Sequence, residues 1–181
     1  SDATSPGISP QRSARDMACP ACAAAATGEY LVLLNNDVVL TAPAWAEEML
    51  GLCMQEGVGA VGARLWYPDG TLQHGGIIVG IGGVAGHAHK GLPRGMPGYF
   101  GRATLLQSVS AVTGACMVVR RQTYLQVGGL DEANLSVAFN DVDFCLKVRA
   151  AGCRNLWTPY AELYHHESAS RGSDDTAAKR A

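Results

Sequence analysis

Three clusters of polar residues stand beside apolar stretches of this sequence and carry its most reactive side chains. They are Asn35-Asn36-Asp37, Asn140-Asp141-Val142-Asp143 and His165-His166-Glu167. Each cluster is expected at the end of a strand or the start of a helix, where α/β folds place their sites. Because polar groups are costly to bury without partners, the clusters indicate either turns and caps or a functional site.

Asp37 follows the apolar run Tyr30–Leu34 and precedes Val38-Val39-Leu40. Asn and Asp favour the ends of strands, so a structural turn is one interpretation of this cluster. The immediate return to apolar residues argues against a tight surface turn. A carboxylate at the carboxyl end of a strand can instead bind a hard divalent cation, which prefers oxygen ligands. Spacing alone leaves both interpretations open.

Asp141 and Asp143 fall in the first turn of a helix predicted over Asn140–Ala150, with Asn140 as its N-cap. Acidic residues at this place offset the helix macrodipole, which is a purely structural role. The two carboxylates lie about 200° apart around the helix axis, so only one of them can face a given pocket. A carboxylate kept ionised there also suits a base that takes a proton from an alcohol.

His165 and His166 follow the alternating segment Ala161–Tyr164, so their side chains are expected on opposite sides of a strand. One of them can serve as a ligand while the other packs or faces solvent. A single histidine at the end of a strand is more often structural, and the polar run 167–171 adds modest support for a site.

Apolar patterning predicts a mixed α/β domain around these clusters. Tyr30–Leu34 does not alternate, which predicts a strand buried on both faces. The Pro68-Asp69-Gly70 turn predicts a hairpin, and the ten glycines of 75–101 predict a long mobile loop that carries His87, His89 and Lys90. Further strands are expected at 57–65, 105–119, 155–158 and 162–165, and helices at 13–26, 43–55, 121–127 and 140–150.

Composition favours one soluble globular domain. Of the 181 residues, 48% are hydrophobic and 17% are charged, and the formal net charge is −2. There is no basic stripe of the kind that binds nucleic acid, and no stretch approaches the roughly 20 apolar residues needed to span a bilayer. Small polar residues predict a disordered N-terminal segment at 1–12 and a flexible tail at 173–181, which leaves a domain at 13–172.

The six cysteines suggest a reducing compartment, because most lie within apolar segments where a free thiol behaves as a small hydrophobe. Cys19 and Cys22 have redox or half-zinc spacing, but the sequence holds no second such pair. A minor hypothesis is therefore a zinc protein that uses Cys19, Cys22, His87 and His89.

Three stretches together resemble the family 2 glycosyltransferases, which are inverting enzymes of the GT-A fold. They are ATGEYLVLLNNDVVL, VTGACMVVRRQTYLQVGGLDE and FNDVDFCLKVRAAGCRNLWTPYAELYHHESASRG, in order from about Ala25 to Gly172. The closest resemblance is to rhamnosyltransferase-like members that build bacterial surface polysaccharides. It implies the C-terminal part of a GT-A, Rossmann-like mixed sheet with flanking helices.

The resemblance also implies a donor site. Asn35, Asn36 and Asp37 would stand in the place of the family's metal-binding DXD motif, with Asp37 as a metal ligand and Asn35 replacing the first acid. Gly114 and Arg171 are expected near the donor diphosphate. The implied cofactor is a divalent cation, Mn²⁺ or Mg²⁺, and the implied donor is a nucleotide sugar.

The remaining roles follow from the same resemblance. Asp141 would be the catalytic base, and Asn140 would replace the neighbouring acid and contact the acceptor, a saccharide or lipid-linked saccharide. His165 would be the second metal ligand, with His166 as the alternative. The implied location is the cytoplasm, peripheral at the inner face of the membrane.

Only 36 residues precede Asp37, whereas each βαβ unit needs roughly 30 residues. We therefore expect a partial domain without its nucleotide-binding half, inactive when isolated. Apolar edges left by such a sheet favour a homo-oligomer. The alternative is a non-catalytic module of the same fold that binds a carbohydrate or acceptor.

Overall fold

A computed structural model describes residues 20–41, 43–131, 133–135 and 138–166. The strands are β1 Tyr30–Leu34, β2 Val38–Leu40, β3 Val58–Trp66, β4 Leu72–His74, β5 Ile77–Val79, β6 Ala85–His87, β7 Gln107–Val109, β8 Cys116–Arg120 and β9 Arg154–His165. The helices are α1 Pro20–Ala25, α2 Trp45–Cys53, α3 Arg121–Gln126 and α4 Asn140–Ala150.

A mixed seven-stranded sheet organises the described residues. Its strand order is β1-β8-β3-β9-β2, with β4 paired to β3 and β7 paired to β9. The central strands β3 and β9 run parallel, while the other pairs are antiparallel. The predicted mixed α/β fold is confirmed.

Helices α2 and α4 cover opposite faces of this sheet. Alternate residues of β3 divide between two apolar clusters, with Ala60 in one and Val61 in the other. Phe144 of α4 lies in the first cluster and Met49 of α2 in the second, and both are fully buried. The site described below is therefore carried by a sheet that is packed on both sides.

Strand β1 differs from the prediction of burial on both faces. Leu31 and Leu33 are buried, but Val32 between them is 49% exposed. The reason is position, because β1 stands at one end of the described strand order and pairs there with β8 alone. An apolar run without alternation therefore marked an edge strand here.

The prediction of a long loop at 75–101 was wrong. Strands β5 and β6 form a two-stranded hairpin, and short 3₁₀ turns lie at Ile81–Gly83 and Tyr99–Thr104. Gly80 at φ 95° lets the chain turn between the two strands, which is a conformation that side chains disfavour. Glycines here shape tight turns within a structured segment.

Two further boundaries differ from expectation. The strands predicted at 155–158 and 162–165 are one strand, β9, whose pairing with β3 shifts register between Gly62 and Arg64. Asn140 is the first residue of α4 and not its N-cap, because the chain enters the helix from Phe139 at φ 65°. The helix predicted over 13–26 is described only from Pro20 onward, as α1.

The domain limits 1–12 and 173–181 lie outside the described residues. Among the described residues, no helix has the length and apolar character that crossing a membrane requires.

Candidate functional site

The Asn35-Asn36-Asp37 cluster connects β1 to β2 as a turn, closed by the Val38 amide, which donates to the Asn35 carbonyl at 3.3 Å. The expectation that no tight turn lies here was wrong, and further backbone hydrogen bonds hold the cluster in place. The Asn35 amide donates to the Ala115 carbonyl at 2.9 Å, which fixes the exit of β1. The His166 amide donates to the Asp37 carbonyl at 3.0 Å. These two contacts place Asp37 beside the end of β9.

Asp37 and His165 converge at this point. Asp37 Oδ1 lies 3.1 Å from His165 Nε2, and both side chains are largely withdrawn from solvent. Asn35 Nδ2 is 3.3 Å from the same ring nitrogen. His166 is exposed. The geometry thus brings together Asp37, Asn35 and His165, and it favours His165 over His166 as the ligand.

The atoms of this pair fit a cation. His165 Nδ1 lies 2.7 Å from Gln73 Oε1, which can only accept, so in the neutral ring the proton is on Nδ1 and the lone pair is on Nε2, within reach of the Asn35 amide. Asp37 Oδ1 is buried and receives no hydrogen bond. Two acceptors therefore face each other at contact distance, and a divalent cation that takes both nitrogen and oxygen ligands suits this arrangement.

The protein supplies only part of such a coordination sphere. Among the described residues, no group of three or more His, Cys, Asp or Glu side chains could hold a metal. A cation at Asp37 and His165 would therefore need ligands from another source, such as a diphosphate. The zinc hypothesis gains no support, since Cys22, His87 and His89 form no such group and Cys19 lies outside the described residues.

Asp141 occupies a second part of the site. Its Oδ2 accepts a hydrogen bond from the Gly114 amide at 3.0 Å, and its Oδ1 accepts one from the Val142 amide at 2.8 Å. Each carboxylate oxygen keeps a further lone pair, so Asp141 can still accept a proton. Because Ala115 holds Asn35, the segment Thr113–Ala115 connects this carboxylate to the Asp37 cluster.

Asp143 faces a different direction, as the helical spacing predicts. It forms an ion pair with Lys147 at 2.8 Å, one turn further along α4. Asn140 is half-buried at the first position of that helix, next to Asp141. Arg171 lies outside the described residues, as do Ser168 and Ser170.

The sequence prediction overlooked two residues of β4, Gln73 and His74. His74 is fully buried; its Nε2 accepts from the Thr113 amide at 3.4 Å, and its Nδ1 lies 2.8 Å from Nδ1 of His87. Burial, and then the neighbouring His87 and His165, lowers the pKa of His74 well below its ordinary value. The sequence did contain a signal for a buried polar site, because Gln73 and His74 stand as a polar pair close to apolar residues. The adjacent Pro68-Asp69-Gly70 turn made them look like part of a hairpin loop.

Comparison with solved structures shows the fold. A mannosyltransferase from Pyrobaculum calidifontis, solved with GDP-Man and Mn²⁺, superposes with a TM-score of 0.55 at 16% identity. GalNAc-T7, solved with UDP, GalNAc and Mn²⁺, superposes with a TM-score of 0.60 at 14% identity. These alignments cover 90% and 80% of this chain. The chain has a GT-A glycosyltransferase fold.

Sequence relatives of this chain confirm the resemblance to rhamnosyltransferase-like glycosyltransferases. It is 41% identical over 150 residues to the O-antigen biosynthesis protein RfbC of Myxococcus xanthus. It is also similar to an N-acetylglucosaminyl-diphospho-decaprenol L-rhamnosyltransferase of Mycobacterium tuberculosis, with 38% identity over 66 residues. Those residues make up 36% of this chain and 21% of the rhamnosyltransferase. An uncharacterised protein of Sinorhizobium fredii is 56% identical over 161 residues. No family model matches the chain.

The chain corresponds to only part of each of these proteins. Its alignments span 89% and 82% of this chain but only 18% of the S. fredii protein and 12% of RfbC. They span 38% and 29% of the two solved transferases.

Proposed function

We propose that this chain provides the metal–diphosphate corner and the catalytic base of an inverting, family 2 glycosyltransferase. Its donor would be a nucleotide sugar, and its acceptor a hydroxyl of a saccharide or lipid-linked saccharide. The observation that carries the proposal is the convergence of Asp37 Oδ1 and His165 Nε2 at 3.1 Å. The two solved transferases of the same fold were determined with Mn²⁺, which supports a divalent cation.

Asp37 and His165 would hold the cation, with Asn35 beside the same ring nitrogen. When bound, a divalent cation offsets the negative charge that develops on the departing nucleoside diphosphate. Asn35 and Asn36 add no charge, so this corner carries a single carboxylate where a DXD motif carries two.

Asp141 would act on the acceptor. The Gly114 and Val142 amides hold its carboxylate in one orientation while leaving lone pairs to take a proton. A hydroxyl activated by Asp141 would attack the anomeric carbon from the face opposite the diphosphate. A single displacement of this kind inverts the configuration at that carbon.

Binding of Mn²⁺ together with a nucleoside diphosphate tests this assignment. We expect the wild-type chain to bind UDP, GDP or dTDP weakly, through the diphosphate, and more tightly with Mn²⁺ than without it in isothermal titration calorimetry. Asp37→Ala and His165→Ala should each remove the Mn²⁺ effect, because each deletes one of two ligands. His166→Ala is the matched control and should behave as wild type. Equal loss in His166→Ala, or no Mn²⁺ effect in the wild type, would contradict the proposal.

Low activity of the isolated chain is part of the proposal. The chain aligns with 38% and 29% of the solved transferases, so much of each of those proteins has no counterpart in the alignment. A radiolabelled transfer assay with a panel of nucleotide sugars should show little turnover. Turnover on the order of 1 s⁻¹ or faster, within the usual range of enzymes, would contradict this expectation.

A non-catalytic binding module is the second candidate, favoured by Asn35 and Asn140 at positions where the resemblance implies acids. It predicts saccharide binding that survives Asp37→Ala and needs no Mn²⁺, whereas the glycosyltransferase proposal ties donor binding to Asp37.

Self-association and a peripheral position on the inner membrane face complete the proposal. Val32 of β1 and Val39 and Leu40 of β2 are exposed on the two strands that end the described strand order. Apolar edge strands can pair with a second copy. A monomeric mass by light scattering at high concentration would contradict self-association.

A further inference from the structure

Gln73 holds His165 through two contacts, one from each end of its amide. Gln73 Oε1 lies 2.7 Å from His165 Nδ1, and Gln73 Nε2 lies 3.4 Å from the backbone carbonyl oxygen of His165. Gln73 is only 3% exposed, so water cannot replace these partners without cost. One buried side chain thus fixes both the ring and the backbone of His165.

These contacts determine which ring nitrogen carries the proton. The opposite amide orientation would place Gln73 Oε1 against the His165 carbonyl oxygen, which sets two acceptors together. With Nε2 donating to the carbonyl, Oε1 must accept from Nδ1, and His165 therefore carries its proton on Nδ1. Asn35 agrees independently, because its Nδ2 lies 3.3 Å from Nε2 and can only donate to it. A cation bound at Nε2 would take the place of this donor.

We propose that Gln73 is the positioning residue of the metal site and sets the tautomer of His165. The inference rests on the proposed function, because that function makes Nε2 of His165 a metal ligand. With the proton on Nδ1, the Nε2 lone pair points toward Asp37 and is available to a cation. Histidine ligands commonly donate their other ring N–H to a fixed acceptor, and loss of that acceptor typically weakens metal binding 10- to 100-fold.

Without Gln73, a hydrogen bond between His165 and Asp37 would block both ligand atoms. Asp37 Oδ1 is a charged acceptor 3.1 Å from Nε2, so a free ring would place its proton on Nε2 and donate to Asp37. That tautomer occupies both ligand atoms with one hydrogen bond. Gln73 prevents this from a rigid position, because β4 pairs with β3 and its flanking residues Leu72 and His74 are buried.

NMR of metal-free protein tests the tautomer directly. We expect long-range ¹H–¹⁵N spectra in alkaline buffer, where imidazole rings are neutral, to show the Nδ1–H form of His165 in the wild type. His165→Asn assigns the signals by their loss. Gln73→Met keeps the side-chain length but removes both polar groups, and it should convert His165 to the Nε2–H form. Gln73→Glu retains an acceptor for Nδ1–H and should retain the wild-type tautomer, although it loses the donor to the His165 carbonyl and should therefore be less stable.

Mn²⁺ titration followed by electron paramagnetic resonance gives the second measurement. We expect Gln73→Met to bind Mn²⁺ about 10- to 100-fold more weakly, with Gln73→Glu close to wild type. Gln126→Met, the same change on the exposed surface of α3, is the matched control.

An Nε2–H form in the wild type, or an unchanged Nδ1–H form in Gln73→Met, would overturn the inference. If the tautomer switches as expected but the wild type binds no Mn²⁺, the role of Gln73 in orienting His165 stands and the proposed function fails.

Discussion

Asp141 combines a structural and a chemical role in one carboxylate. It receives the amides of Gly114 and Val142, and so ties the segment before β8 to the first turn of α4. The same two donors orient the carboxylate, and a base that acts on a bound hydroxyl requires such a fixed orientation. Substitution of Asp141 should therefore change stability as well as any transfer reaction.

Asp141→Ala should lower the free energy of unfolding by about 1–3 kcal/mol, because it leaves the partly buried Gly114 amide without its acceptor. Asp143→Ala is the control in the same helical turn. Its ion pair with Lys147 is about one-third exposed on both sides, and such pairs contribute about 0.3–0.5 kcal/mol. Urea denaturation measures both. Equal losses for the two variants would show that the Gly114 hydrogen bond contributes no more to the free energy of unfolding than the exposed ion pair does.

His74 provides a pH-dependent contribution to stability. Burial lowers its pKa in the folded chain, so the unfolded chain binds a proton first as the pH falls below about 6.5. The contribution of His74 to the free energy of unfolding is therefore fully present above its ordinary pKa. As the pH falls below that value the contribution is lost, by up to about 1.4 kcal/mol per pH unit.

We expect His74→Asn to lose stability less steeply than the wild type between about pH 6.5 and 5 in denaturant titrations of metal-free protein. The exposed His166→Asn should keep the wild-type slope. Parallel curves for wild type and His74→Asn would refute the assigned cause.

At the scale of elements, the glycines of β3 allow neighbouring segments to pack closely against the sheet, among them the residues that lead into Thr113–Ala115. A Cβ at Gly62 would lie 2.5 Å from Val112 Cβ, and a Cβ at Gly59 would lie 2.2 Å from Val148 Cγ1. Val112 directly precedes Thr113–Ala115, which contacts both Asp141 and Asn35. The packing of β3 therefore determines where the polar clusters meet.

Two glycine-to-alanine substitutions distinguish the cost of a crowded Cβ from the general effect of replacing glycine in the backbone. Gly62→Ala should destabilise the fold by about 1–3 kcal/mol through overpacking against Val112. Gly51→Ala, on the exposed side of α2 with no atom within 4 Å of the new Cβ, should stabilise it by about 0.5–1 kcal/mol. Thermal unfolding measures both changes. A neutral Gly62→Ala would mean that Val112 moves freely.

Local patterns predicted the elements whose signals are local. Strand β1 and helix α4 lie where apolar runs and first-turn acids placed them, and the opposite directions of Asp141 and Asp143 follow from helix geometry. The edge position of β1 depends on strand order, which sequence periodicity does not contain. Gln73 escaped prediction for the same reason, because its partner His165 lies 92 residues away.

At the scale of the whole molecule, charge and apolar exposure coincide in one segment. No acidic residue occurs between Asp69 and Asp131, whereas five basic residues lie between them, namely Lys90, Arg94, Arg102, Arg120 and Arg121. Two of the five form ion pairs with glutamates outside this segment, Arg94 with Glu162 and Arg120 with Glu29. In the same segment Tyr99 is 71% exposed and Phe100 is 83% exposed. Aromatic side chains beside basic ones are typical of surfaces that rest on anionic membranes, which supports the proposed peripheral location.

We expect the chain to sediment with vesicles that contain phosphatidylglycerol, and less with neutral vesicles or at high salt, because the basic residues attract anionic headgroups. A Tyr99→Ser, Phe100→Ser double variant should bind at least about tenfold more weakly, since burial of each ring contributes about 1.5–3 kcal/mol.

Tyr160→Ser is the matched control for this experiment, because Tyr160 is a 65% exposed aromatic on β9, outside the basic segment. If attraction to the membrane came from exposed aromatics in general, Tyr160→Ser would weaken binding as well. Unchanged binding in the double variant, or wild-type protein that stays in the supernatant with anionic vesicles, would exclude the segment as a membrane contact. Binding that depends on both lipid charge and the Tyr99–Phe100 pair would support the proposed peripheral location.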